Sequence, residues 1–288
     1  MKTPPRLIPL LEDGLIDNVT RQLMSGKEAT VYVVQSGDDV LCAKVYKEAN
    51  KRSFRQSVDY TEGRKVKNSR KARAMGKGSK YGKQAQEEAW QSAEVDALYK
   101  LANAGVTVPK PYNFYEGVLL MELVTDDTGN AAPRLNDLTF TAEEARKHHQ
   151  SLIKEVVRML CAGIVHGDLS EFNILLGENG PVIIDLPQAV DASGNNHAKG
   201  MLERDVKNLA DFFGQFAPEL LNTQYGKEIW ALYAKGTLSL EVELTGRVKE
   251  NHKAVDLKSV VNEIDAIREQ EERRQLRLLE AKSTPADN

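Results

Sequence analysis

His166-Gly167-Asp168-Leu169-Ser170-Glu171-Phe172-Asn173, followed twelve residues after Asn173 by Asp185 at the end of the apolar run Val182-Ile183-Ile184-Asp185, decides how this chain is read. An acid five residues ahead of an amide, with a second acid closing the next strand, suits phosphoryl transfer. One carboxylate orients an attacking hydroxyl. The amide and the second carboxylate supply the oxygen ligands that magnesium requires when it neutralises charge between phosphates. A polar loop between two strands has no need of these residue types at this spacing.

A second signal lies upstream. Ser25-Gly26-Lys27-Glu28-Ala29-Thr30-Val31-Tyr32 leads into a strand, and Lys44 sits in the next one. A turn with a small residue lets backbone N–H groups approach phosphate oxygens, and a strand lysine can neutralise them. This is not a Walker A loop: position 21, five before Gly26, holds arginine, and no Ser or Thr follows Lys27. Its weight comes from its place ahead of Asp168.

Of the 288 residues 41% are hydrophobic and 28% charged, which implies one or two globular domains and excludes collagen-like, mucin-like and wholly disordered chains. The net charge of −3 is unevenly spread: residues 47–84 hold 13 basic and three acidic side chains, a local +10, so the remainder carries −13. Phe54, Tyr60 and Tyr81 stand among those cations, a composition that suits either a solvated, flexible loop or a grip on RNA. Its Ser53, Ser57, Ser69 and Ser79 are within reach of the cleft as autophosphorylation sites if the loop is mobile. Both cysteines, Cys42 and Cys161, lie in apolar runs, which fits a reducing compartment. The N-terminal apolar stretch is too short and proline-broken for a signal peptide, and no run is long enough to span a membrane, so a cytoplasmic protein is expected.

Runs 31–34 and 40–46 flank Ser36-Gly37-Asp38-Asp39, which is hairpin chemistry, and the chain is expected to open with this antiparallel pair. Trp90, Ala93, Ala97, Leu98 and Leu101 recur at helical spacing within 87–103. Pro109 and Pro111 prevent continuation, 118–124 reads as a buried strand, and 125–134 as loop. Thr141 and Glu144 form a capping box ahead of a helix with Leu152, Val156 and Leu160 inward. Segments 173–176 and 182–186 form a second hairpin, and 201–216 a further helix. His148 and His149 read as surface residues on a helix, and His166 as a residue that shapes its loop by hydrogen bonding. The densely charged stretch 255–281 predicts a solvated or partner-binding helix.

The motifs S-G-K-E-A, H-G-D-L-S-E-F-N and I-I-D-x-x-Q together resemble the RIO family of atypical protein kinases over roughly residues 23–216. The resemblance implies an α+β, bilobal protein-kinase-like fold: a small antiparallel-sheet N-lobe and a mainly helical C-lobe without a full activation segment. It divides the chain into an N-terminal extension (1–22), an N-lobe (23–124) carrying the basic loop, a C-lobe (125–250) and a charged tail (251–288). It implies ATP and magnesium as cofactors, Asp168 as catalytic base, Asn173 and Asp185 as metal ligands, and Lys44 on the phosphates, paired with Glu94. Ser25, Gly26, Lys27, Glu28 and Val31 would surround the nucleotide, with Met121 behind the adenine and the backbone of Glu122 and Val124 bonding it. Asp185 is itself a candidate phosphate acceptor under this resemblance. Strand alternation adds Cys42, two residues from Lys44 and hence on the same face, toward the nucleotide; a buried structural thiol is the competing reading.

Some features depart from ordinary kinases. Gly167 stands where they place arginine, which argues against activation through a phosphorylated loop. Ala217-Pro218-Glu219 matches the motif that ends an activation segment, but it follows a continuous helix and reads as coincidence. Pro187 stands where the family often has a small hydroxyl residue. The segment before Ser25 is too short for a winged-helix domain, which favours the type-1-like branch. Expected partners are a protein substrate and the chain itself, with a ribosomal particle or RNA as a candidate for loop 47–84, and neither membrane nor DNA. Two other functions compete: a phosphotransferase acting on small molecules such as aminoglycosides or choline, and an ATPase switch in ribosomal small-subunit maturation.

Overall fold

Strands β2 (Ala29–Ser36) and β3 (Asp39–Tyr46) pair antiparallel from Ala29 opposite Tyr46 to Ser36 opposite Asp39. Gly37, at φ +59°, supplies the left-handed backbone that so tight a turn requires. The computed structural model describes residues 3–26, 29–47 and 93–248. The readings made for Lys27, Glu28, Trp90, the basic segment from residue 48 onward and the tail from residue 249 therefore lie outside the described residues.

The sheet has the order β1-β2-β3-β5-β4, antiparallel throughout, with β1 at Asn18–Ser25, β4 at Pro111–Tyr115 and β5 at Val118–Glu122. β1 corrects the sequence reading, and β4 is a strand that the sequence reading did not contain. β1 precedes the expected first hairpin and crosses the boundary drawn between residues 22 and 23. The helix α1 (Ile8–Glu12) comes before it, and Leu7, Leu10 and Ile16 are buried against Tyr32, Val34, Leu41 and Leu120. The supposed extension thus closes one face of the N-lobe sheet. β4 begins at Pro111, at the edge of the sheet, where a residue without an N–H costs least.

Alternation along β3 sorts its side chains. Leu41, Ala43 and Val45 enter this small core, while Tyr46 joins the larger core beneath the sheet. That larger core takes in Val95, Leu98 and Leu101 of α2, helical over the described residues 93–103, and the apolar faces of the C-lobe.

In the C-lobe the Thr141–Glu144 capping box is present: Glu144 N–H donates to Thr141 Oγ1 at 3.3 Å and Thr141 N–H to Glu144 Oε2 at 2.8 Å. It opens α3 (Ala142–Cys161), whose Leu152, Val156 and Leu160 are buried as expected. His149 is buried as well, contrary to its surface reading. It falls four residues after Ala145 and three before Leu152, on the apolar stripe, and its ring packs against Phe213 and Tyr225.

After α3 come β6 (Ile164–Val165), the hairpin β7–β8 (Ile174–Gly177, Gly180–Ile183) and β9 (Val190–Asp191), which pairs with β6. Helices α4 (Ala198–Phe213) and α5 (Tyr225–Ala234) follow. α4 starts three residues earlier than expected, and β8 stops short of Asp185. Twelve residues separate Asp185 from α4, too few for a full activation segment. The expected α+β, two-lobed architecture is observed. No helix among the described residues is long and apolar enough to cross a membrane.

Candidate functional site

A cleft of about 630 Å³ opens beneath the five-stranded sheet. Leu23, Val31, Leu119 and Met121 line it from the sheet, and Leu175, Ile184 and Leu186 from the segments around the second hairpin. Of the residues singled out from the sequence, Gly26, Val31, Cys42, Lys44, Glu94, Met121, Glu122, Val124 and Asp185 all line this space. Ser25 lies at its rim, where Lys47 Nζ donates to Ser25 Oγ at 3.1 Å and to Gly26 C=O at 2.5 Å. Lys27 and Glu28 are not among the described residues.

Lys44 is the centre of the charged wall. Its Nζ lies 2.5 Å from Glu94 Oε1 and 2.9 Å from Asp185 Oδ1. Burial alone would lower the lysine pKa, but the two carboxylates outweigh it and hold it well above its ordinary value. Lys44 in turn, against some desolvation, holds Asp185 below the usual carboxylate range. The Asp185 side chain stays 44% exposed, open to the cleft. Its backbone adopts φ +65°, a left-handed conformation that aspartate tolerates better than most residues and that concentrates at functional sites. Cys42 shares the cleft-facing side with Lys44, as alternation requires, and burial pushes its thiol up to about 12.

Asp168 and Asn173 meet at the loop beside the cleft. Asn173 Nδ2 donates to the Asp168 C=O at 2.8 Å and approaches Asp168 Oδ2 at 3.5 Å, which leaves the amide oxygen available to a cation. The Asn173 C=O accepts from Ile184 N–H at 3.0 Å, tying this loop to the segment that carries Asp185. Partial desolvation raises the Asp168 pKa, against His166 and Arg204. His166 does what was expected of it. Its Nε2 is 3.1 Å from the Ile184 C=O, and its Nδ1 accepts from Asp168 N–H at 3.3 Å. Burial lowers its pKa against the pull of Asp185 and Asp168, and the ring braces the two acidic segments through these two bonds.

At the linker between lobes, Glu122 N–H donates to Lys110 C=O and Val124 C=O accepts from Ala132 N–H. The Val124 N–H has no hydrogen-bond partner among the described residues. Oxygen ligands from one amide and one ionised carboxylate fit magnesium, which takes few protein ligands and completes its shell with water and phosphate.

Four contributors escaped the sequence reading. Asp205, on α4, is buried and accepts from Gly167 N–H at 2.8 Å and Leu169 N–H at 3.1 Å; Asn208 Nδ2 donates to Leu169 C=O at 2.9 Å. Gly167 sits at φ +82°, which explains glycine in that place. Asp205 lies four residues after Met201 and four before Leu209, so a carboxylate on the inward stripe of a helix was the available signal. Tyr46 stacks below Lys44, whose Nζ is 5.5 Å from the ring centre. Arg134, in the loop after the linker, also lines the cleft.

The fold is that of a solved Rio2 kinase in complex with ADP, magnesium and phosphoaspartate from Chaetomium thermophilum, with a TM-score of 0.53 and 19% identity over 82% of this chain and 73% of that one. In sequence the chain is 36% identical over 206 residues to the RIO-type serine/threonine-protein kinase Rio1 of Haloferax volcanii, covering 71% of this chain and 66% of that protein. It is 29% identical over 226 residues to the serine/threonine-protein kinase RIO1 of Caenorhabditis elegans and 30% over 209 residues to that of Homo sapiens. Those alignments take in 41% and 35% of the relatives' own lengths. The model of the RIO domain matches residues 30–225, more than half of the chain, and the chain belongs to the RIO family.

Proposed function

We propose that this protein is an ATP- and magnesium-dependent serine/threonine protein kinase of the RIO type that phosphorylates a protein substrate and itself. The observation that carries this reading is Lys44, gripped between Glu94 and Asp185 in a cleft of nucleotide size, with Asp168 and Asn173 joined beside it. The adenine lies among Val31, Met121 and Leu175, its edge read by the Val124 N–H. Lys44 neutralises phosphate oxygens. Asn173 Oδ1 and Asp185 would hold magnesium, which would supply screening of the charge between phosphates. Asp168, its pKa raised by partial desolvation, accepts the proton of the acceptor hydroxyl. Catalysis on this scheme is positioning and charge neutralisation.

The test is Asp168→Asn. It keeps the loop's shape and removes the base, so ATP binding persists while phosphoryl transfer falls by about a hundredfold or more. Undiminished autophosphorylation in this variant contradicts the assignment.

One observation favours a second reading of the same site. The Asp185 carboxylate is ionised and open to the cleft, and the Rio2 complex of similar fold contains phosphoaspartate. Asp185 would take the terminal phosphoryl with release of ADP, and water would then cleave the acyl phosphate to inorganic phosphate. The net reaction is ATP hydrolysis, the chemistry of a switch that docks on a ribosomal particle. The charge of residues 47–84 supports an RNA contact in that role. Cosedimentation with ribosomal subunits that does not differ between ATP, ADP and no nucleotide counts against the switch.

A further inference from the structure

Among the described residues two cations line the cleft, Lys44 and Arg134, against four carboxylates, Glu94, Glu122, Asp137 and Asp185. Lys44 is already matched by two of those acids. Arg134 has no carboxylate within ion-pair distance among the described residues. Its one side-chain hydrogen bond there runs from Nη2 to Met24 Sδ at 3.4 Å. A thioether is a weak acceptor for a guanidinium with five N–H donors.

The position is nonetheless built. The Arg134 backbone bridges to Leu175 on the cleft wall, and the next residue, Leu135, is fully buried. The side chain thus reaches from a fixed point across the cleft to Met24, two residues before Gly26, and its charge is felt at Asp185, whose pKa it helps to lower. The anionic tail of a nucleotide between Gly26 and Asp185 would pass within this reach.

We propose that Arg134 is a nucleotide-phosphate-binding residue: on nucleotide entry its guanidinium exchanges Met24 Sδ for phosphate oxygens and adds its positive charge to that of Lys44, which two carboxylates already offset. This rests on the kinase reading of the cleft, because it needs a nucleotide there.

The test compares Arg134→Gln with the wild-type chain by calorimetric titration with ATP, ADP and adenosine. A lost charge-assisted bond to phosphate weakens ATP and ADP by about tenfold or more, while adenosine affinity stays within about twofold and the melting temperature is unchanged. Arg134→Lys, which keeps the charge and loses the planar fork, falls between the two. Unchanged ATP affinity overturns the proposal, and so does an equal loss for adenosine, since Arg134 would then only shape the base pocket. A wild-type chain that binds adenosine and ATP not at all removes the kinase reading itself, an outcome distinct from either.

Discussion

Asp205, buried in α4, holds the backbone N–H groups of Gly167 and Leu169 at 2.8 and 3.1 Å, and so fixes both neighbours of Asp168 from a helix 36 to 38 residues away in sequence. Asp205→Ala orphans two buried donors and should destabilise the fold by about 3 kcal/mol. Burial raises the Asp205 pKa to about 7 against the bonds that oppose it. Between its ordinary value of 3.8 and about 7, the folded chain keeps a proton that the unfolded chain has lost, so this residue's contribution to stability falls as pH rises through that window. Asp205→Asn, which cannot titrate, should remove that slope in urea melts. A variant with the wild-type slope would show that Asp205 does not titrate there.

His149 acts with the opposite sign. Its Nε2 is buried without a hydrogen-bond partner among the described residues, and burial lowers its pKa from 6.5 to about 4. Stability from the neutral ring is complete above about 6.5 and is lost as pH falls toward 4. His149→Phe keeps an aromatic ring against Phe213 and Tyr225, and should melt with less acid sensitivity than the wild type in this window. Equal acid sensitivity would place the loss elsewhere.

Much of this was legible locally. The β2–β3 hairpin, the Thr141–Glu144 cap and the His166–Asn173 loop are each decided by residues close in the chain, and all three are observed. β1 escaped because it is an edge strand whose side chains are mostly exposed and whose apolar alternation is weak. Leu7, Leu10 and Ile16 look like a stray extension until a sheet is present to cover them. Asp205 and Arg134 act on residues far away in sequence, and only the fold joins Asp205 to Gly167 or Arg134 to Met24. His149 did carry a signal, its register with Ala145 and Leu152, which its polar identity outweighed.

Tyr46 Oη is buried beside the Glu94 carboxylate, whose charge and hydrogen bond add to the burial that raises the phenol pKa. Tyr46→Phe takes that hydroxyl away from a buried carboxylate and should cost about 1 to 3 kcal/mol in thermal melts. A neutral or stabilising effect would show that the phenol and Glu94 do not support one another.

Cys42 and Cys161 form an internal comparison. Cys42 is buried in the cleft with its thiol held protonated, whereas Cys161 is exposed. Iodoacetamide should label Cys161 first, and ATP should slow the remaining reaction at Cys42 alone. Equal Cys42 labelling with and without ATP would remove the nucleotide from that side of the cleft.

The most direct measurement is incubation of the purified chain with ATP labelled in its terminal phosphate, with magnesium and with chelator, followed by mapping of the label before and after hydroxylamine. We expect magnesium-dependent label on serine or threonine that survives hydroxylamine and is absent from Asp168→Asn. A chain that binds ATP yet carries no magnesium-dependent label, or only label that hydroxylamine removes, would contradict a protein kinase acting through Asp168.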